Sequence, residues 1–148
     1  MRAISRTEFL GVGLVFLLLL GGLAGCSTQN RMTHLRDTLR TFNQQIRWER
    51  WPGAAAHVEL KTREHWMLSR SGHAKGLKIH DIQVLRVLSG GPRATVARVL
   101  VKLTWYREAD MTVHTTHWMQ TWNHSRHGWK LSKEERAQGE KPKDRSWP

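Results

Sequence analysis

The chain is 148 residues long, a one-domain length, and carries 24 Lys and Arg against 12 Asp and Glu, a net charge of +12 with histidine neutral. Its single cysteine, Cys26, excludes an intrachain disulfide and any zinc or iron–sulfur centre built on several cysteines. A positive excess of this size points to nucleic acid, an anionic membrane surface or an acidic partner, and says nothing about fold.

The first segment reads as an export signal. Arg2 and Arg6 form a positive start, and the apolar run FLGVGLVFLLLL follows over Phe9 to Leu20, 12 residues that stretch to 16 if carried to Ala24. A helix needs about 20 apolar residues to span a bilayer, so a signal peptide cleaved after residue 25 fits better than a permanent span. Leu23-Ala24-Gly25-Cys26 resembles the lipobox of bacterial lipoproteins. That resemblance implies a diacylglycerol thioether on Cys26, cleavage before it and acylation of the new N-terminus. Two acyl chains already anchor a protein stably, at ~0.8 kcal/mol per buried CH₂. Ser27 stands where the resemblance would associate an Asp with inner-membrane retention. The expected location is therefore the bacterial cell envelope, on the periplasmic face of the outer membrane in a Gram-negative cell. The alternative is an ordinary signal peptide or signal anchor with an incidental cysteine. Cleavage would remove Arg2, Arg6 and Glu8 and leave 123 residues with a net charge of +11, enough for one modest core.

Residues 26–30 then form the anchor and a short tether. Ser27 to Asn30 reach ~14 Å when extended, which holds the folded domain against the headgroups. Asn30 is a suitable N-cap. Met32, Leu35, Leu39, Phe42 and Ile46 recur at spacings of 3, 4, 3 and 4, one stripe of an amphipathic helix. Arg36, Arg40 and Arg47 fall within ~40° of one another beside that stripe, at 100° per residue. A solvated helix flank is the simpler reading of these three; contact with an anionic surface is the functional one. Pro52-Gly53 is expected to end the helix after Trp48 and Trp51. Ala54 to Val58 reads as a short second helix, Thr62 to Ser69 as a third, and Gly72 and Gly76 bracket a loop.

From Leu77 the pattern becomes that of strands. Ile79–Leu88 is rich in β-branched and aliphatic residues, and Ser89-Gly90-Gly91-Pro92 is a turn. Ala97, Val99, Val101, Leu103 and Trp105 alternate with Arg98, Leu100, Lys102, Thr104 and Tyr106, a long half-buried strand. Met111–Asn123 is the next strand and Trp129-Lys130-Leu131 a short last one. Nothing in residues 107–110 fixes the turn length, so either face of Met111–Asn123 can meet the core, and a slip of one residue swaps them. Residues 133–148, mostly charged, are expected to be disordered.

The stretch THWMQTWNHSRHGWKL, residues 116–131, concentrates His117, His124 and His127 with Trp118, Trp122 and Trp129. Side chains alternate faces along a strand, so His114 and His117 point apart. His114 and His124 share a face but lie ~33 Å apart along it. No pair has ligand geometry, and a hairpin with large aromatic residues is the reading that remains. No metal site, cofactor or catalytic set is assigned. His80 and Asp81 face apart as strand neighbours, and His57 with Glu64, or Glu59 with His65, meet only if the helices bring them together.

Residues 31–132 resemble the NTF2-like superfamily through the helix junction RWERWPGAAAHV, the strand ARVLVKLTW and the closing QTWNHSRHGWKL. The resemblance implies an α+β fold, N-terminal helices packed on a curved antiparallel sheet that forms a cone. Enzymes of that superfamily place acids, His and Tyr in the cone's pocket, but none of their functional residues maps onto a position here. Fold alone does not settle function. The sequence therefore points first to a lipid-anchored, non-catalytic binding or assembly module with a basic membrane-facing surface. Its expected contacts are the membrane through Cys26, an anionic surface through Arg36, Arg40 and Arg47, an envelope protein or anionic lipid partner, and a second copy through the sheet face, with binding or assembly through the sheet or the pocket. Export argues against nucleic acid. Two alternatives stand beside it: a small pocket enzyme of isomerase or hydrolase type, using a His with Asp81 or Glu64, and a binder of anionic glycolipid or wall polymer with exposed Trp stacking on sugars.

Overall fold

A computed structural model describes residues 31–73, 76–109 and 111–137. Cys26, the leader, the tether with its Asn30 cap, and residues 138–148 lie outside the described residues.

Helix α1 runs Arg31–Arg47 and buries Leu35, Leu39, Phe42 and Ile46, the stripe set by the 4-3-4 spacing. It stops earlier than expected, and not at Pro52-Gly53. Glu49 takes a left-handed conformation with φ 54°, and the Glu49 and Arg50 amides donate back to the Ile46 and Gln45 carbonyls at 3.0 and 2.8 Å. A reversal of this kind satisfies the last carbonyls of a helix. Trp51 and Pro52 instead open helix α2, Trp51–Ala55, where proline's missing N–H costs nothing. Helix α3 spans Leu60–His73, longer than the expected 62–69.

Four strands follow as an antiparallel meander, β1 Leu77–Ser89, β2 Val96–Arg107, β3 Val113–Ser125 and β4 Gly128–Arg136, in the order β1-β2-β3-β4. Two register shifts interrupt β1, and one lies between β3 and β4 at Thr121/Trp122; such bulges bend the strands that carry them. The chain is α+β, with helices packed against a curved, open antiparallel sheet.

Pairing fixes the face that the sequence leaves open. Ala97, Val101 and Leu103 sit opposite Trp122, Trp118 and Thr116, so the even-numbered residues of β3 point to the core. Trp122 is fully buried and meets Phe42 edge-on, ring centroids 5.2 Å apart. Trp129 and Leu131 of β4 are buried beside it, and the Trp129 indole N–H donates to the Arg31 carbonyl at 2.9 Å. His114 and His117 do fall on opposite faces, as a strand requires. His114 stacks on Trp105 at 4.5 Å, and among the described residues no group of His, Cys, Asp and Glu could hold a metal ion.

The expected domain end at residue 132 is corrected by β4, which continues through Lys133-Glu134-Glu135-Arg136. Their charge hides a period of two. Glu134 pairs with Gln120 on the inner face, while Lys133 and Glu135 point outward and join each other at 2.6 Å.

Candidate functional site

The long helix α1 crosses one side of the sheet antiparallel to the edge strand β1. Two contacts set this direction: the Ser89 hydroxyl donates to Met32 Sδ at 3.3 Å near the start of the helix, and Lys78 Nζ donates to Glu49 Oε1 at 2.9 Å just past its end. The Glu49 carboxylate raises the Lys78 pKa above the usual value, mainly through that hydrogen bond. Between these two pins helix and strand separate, and a groove of about 420 Å³ opens.

Its helix wall is Arg36, Arg40, Asn43, Gln44 and Arg47; its floor is Leu39, Ile82, Val84 and Val87, with Asp81 at the rim. The origin of the wall is visible in the spacing. Leu35, Leu39, Phe42 and Ile46 face the core at intervals of 4, 3 and 4, and Arg36, Arg40, Asn43 and Arg47 repeat those intervals one residue later. A stripe displaced by one residue is rotated ~100° about the helix, so when the first faces the sheet the second faces the gap beside it. The structure thus brings together all three arginines singled out in the sequence, around a cavity with an apolar floor.

The floor exists because the helices do not cover the whole sheet. Val84 and Val87 are inner-face residues, paired with Val101 and Val99 on β2. The β2 partners are 2% and 0% exposed, whereas Val84 and Val87 are 41% and 36% exposed. Same face and same residue type, so the difference is the missing cover.

Charges in the groove are unevenly engaged. Arg40 reaches Asp37 at 3.7 Å, an exposed pair of a kind that contributes little. The Arg47 guanidinium lies 5.8 Å from the ring centroid of Trp48, which is itself exposed. Asp81 Oδ1 accepts from the Ile82 amide at 2.9 Å and Oδ2 from Gln83 Nε2 at 2.8 Å, so its carboxylate is held along its own strand. Asn43 Oδ1 is buried without a protein hydrogen-bond partner. Asn43 also lines a void of about 20 Å³ under the helix, room for one water, that reaches Gln120 and Glu134.

That void leads to a second polar feature, which the sequence reading missed. Arg70 of α3 pairs with Glu134 of β4, their side chains only 9% and 10% exposed. Glu134 Oε2 also accepts from Trp66 Nε1 at 2.9 Å, and Oε1 from Gln120 Nε2 at 2.8 Å. Gln120 Oε1 accepts in turn from the Trp122 indole at 3.1 Å. The Arg70 guanidinium lies over Trp66 and Trp118, 5.2 and 5.7 Å from the ring centroids. Two of the donors, Trp66 and Arg70, come from α3 and the third, Gln120, from β3, so the β4 carboxylate ties α3 to the sheet. A cavity of about 210 Å³ lies beside it, lined by His65, Ser69 and Lys133 among others.

The acid and histidine pairs considered from sequence do not assemble. Glu64 is exposed and lines neither cavity. Glu59 accepts from Asn123 Nδ2 at 2.8 Å and meets Lys61 at 3.2 Å. His57 packs edge-on against Phe42 at 6.3 Å; burial, then the charge of Lys130, lowers its pKa below 6.5. His80 is exposed.

No family model and no curated protein matches the sequence. Among solved structures the fold is similar to a SEC-C motif containing protein from Rhodopseudomonas palustris, with 12% identity, a TM-score of 0.52, and 74% of this chain and 80% of that one covered. It is also similar to a protein of unknown function with a cystatin-like fold from Nostoc punctiforme, with 10% identity, a TM-score of 0.54, and 71% and 88% covered. At these identities the likeness concerns the fold alone: helices laid across a curved antiparallel sheet. Among the described residues no helix is long and apolar enough to cross a membrane.

Proposed function

We propose that this chain is a lipid-anchored cell-envelope protein that acts as a non-catalytic binding module, its basic α1 side turned to the membrane. The observation that carries the reading is the convergence of Arg36, Arg40 and Arg47 on one groove, in a helix that begins five residues after Cys26. A tether of ~14 Å keeps that helix within reach of the headgroups. Near an anionic surface each Arg contributes ~1 kcal/mol. The exposed Trp48 at the end of the helix suits the interface between water and lipid. The resemblance to the NTF2-like superfamily and the location at the outer membrane's periplasmic face belong to the same proposal.

Cell fractionation tests the anchor. Cys26→Ala is expected to move the protein from the membrane to the soluble fraction; a variant held just as tightly contradicts the reading. With the anchor removed, the residual affinity of the domain for anionic vesicles is expected to fall steeply between low salt and physiological salt, where the Debye length is ~8 Å. Binding indifferent to ionic strength contradicts the basic-surface part.

A further inference from the structure

We infer that the groove between α1 and β1 binds one anionic phospholipid, its phosphate bridged by Arg36 and Arg40 and one acyl chain laid along Leu39, Ile82, Val84 and Val87. The inference deepens the reading above and rests on it for the source of the lipid, a bilayer a few residues away from the helix.

The chemistry of the groove selects this class of ligand by requiring two things at once. A free phosphate has no use for an aliphatic floor, and a neutral chain has no use for a wall of arginines. Arg36 and Arg40 are one turn apart, ~6 Å along the axis, close enough for two guanidinium groups to share one phosphate through charge-assisted hydrogen bonds. Arg36 lies in the first half of α1, the half nearer the tether, and Arg40 just past its middle. Val84 and Val87 are the floor there, since α1 and β1 run antiparallel. They are the inner-face valines that the helices leave open, and an acyl chain completes the cover that Val99 and Val101 receive from protein. Asp81 sits toward the Arg47 end, and its charge disfavours an anion there. The volume of about 420 Å³ lies within the ~300–1,000 Å³ of small-molecule sites. A second copy of this chain is a poorer occupant, because it would bring another strongly cationic surface to an already cationic wall.

Titration calorimetry on the full chain and on its Cys26→Ser variant tests the site. The probes are short-chain phosphatidylglycerol, phosphatidylcholine of the same chain length, and inorganic phosphate. One phosphatidylglycerol per protein is expected, bound by both forms, with phosphatidylcholine weaker and inorganic phosphate neither binding nor competing. Arg36→Glu/Arg40→Glu and Val84→Ser/Val87→Ser alter exposed side chains, and circular dichroism and the Tm of each pair check that it folds. Each pair is expected to weaken phosphatidylglycerol roughly tenfold or more. Unchanged affinity in either pair overturns the inference, and so does competition by inorganic phosphate, which would mark a phosphate site. A lipid-free dimer that the serine pair dissolves would assign the floor to a second copy and overturn it as well. Because Cys26→Ser keeps the groove, lipid binding survives a failure of the anchor, and the two readings fail separately.

Discussion

Two arginine settings divide this molecule. Arg70 is buried, stacked between two tryptophans and hydrogen-bonded to a carboxylate that also collects Trp66 and Gln120. Arg36, Arg40 and Arg47 are exposed along a helix that flanks a half-covered apolar strip. A buried ion pair leaves a stranded charge when one partner goes, whereas an exposed cation is solvated whether or not it has a partner. The first setting therefore governs stability, and the second is available for binding at little cost to the fold.

The sharpest way to break that comparison is Glu134→Ala. It strands Arg70 and removes the acceptor for Trp66 and Gln120, and is expected to cost ~3–5 kcal/mol in urea unfolding. A loss below ~1 kcal/mol would mean that Arg70 is not held by this pair. Removing both charges with Arg70→Met/Glu134→Leu is expected to restore the part of the loss that comes from the stranded charge, while the Trp66 and Gln120 donors still lack their acceptor. A double variant as unstable as the single one would contradict this.

Acid sharpens the contrast next. The folded-state pKa of His57 lies below 6.5 because of burial and then Lys130, and that of His124 is lowered by burial, then Arg31 and His34. Above pH ~6.5 both are neutral in either state and contribute no pH dependence. Below it the unfolded chain takes up protons that the folded chain resists, so stability falls as pH drops from 6.5 towards the folded values. His57→Gln is expected to flatten the decline in Tm between pH 7 and 5; an unchanged decline would place its cause elsewhere. The smallest effect belongs to the groove: Arg36→Glu/Arg40→Glu is expected to shift stability by no more than ~0.5 kcal/mol, and a larger loss would make these arginines part of the folding core.

The two regions were also unequally legible in the sequence. The α1 stripe and the alternation of β2 are periodic, so the core and the arginine row beside it could be read directly. The groove could not, because its floor depends on how far the helix layer extends over β1. Val84 and Val87 look the same in sequence as Val99 and Val101. The Arg70–Glu134 pair was hidden for another reason. Glu134 lies in a run of charge, Lys133 to Arg136, whose composition resembles a solvated tail, and only pairing with β3 turns every second residue inward. The end of α1 is not legible because the stop lies in the backbone of Glu49, a residue type that does not announce a left-handed turn.

Mass spectrometry of the N-terminal peptide, from protein purified out of native membranes, tests the central proposal most directly. Residues 1–25 are expected to be gone, and Cys26 to carry the added mass of a diacylglyceryl group and an N-acyl chain. An intact leader, or an unmodified thiol at Cys26, would contradict it.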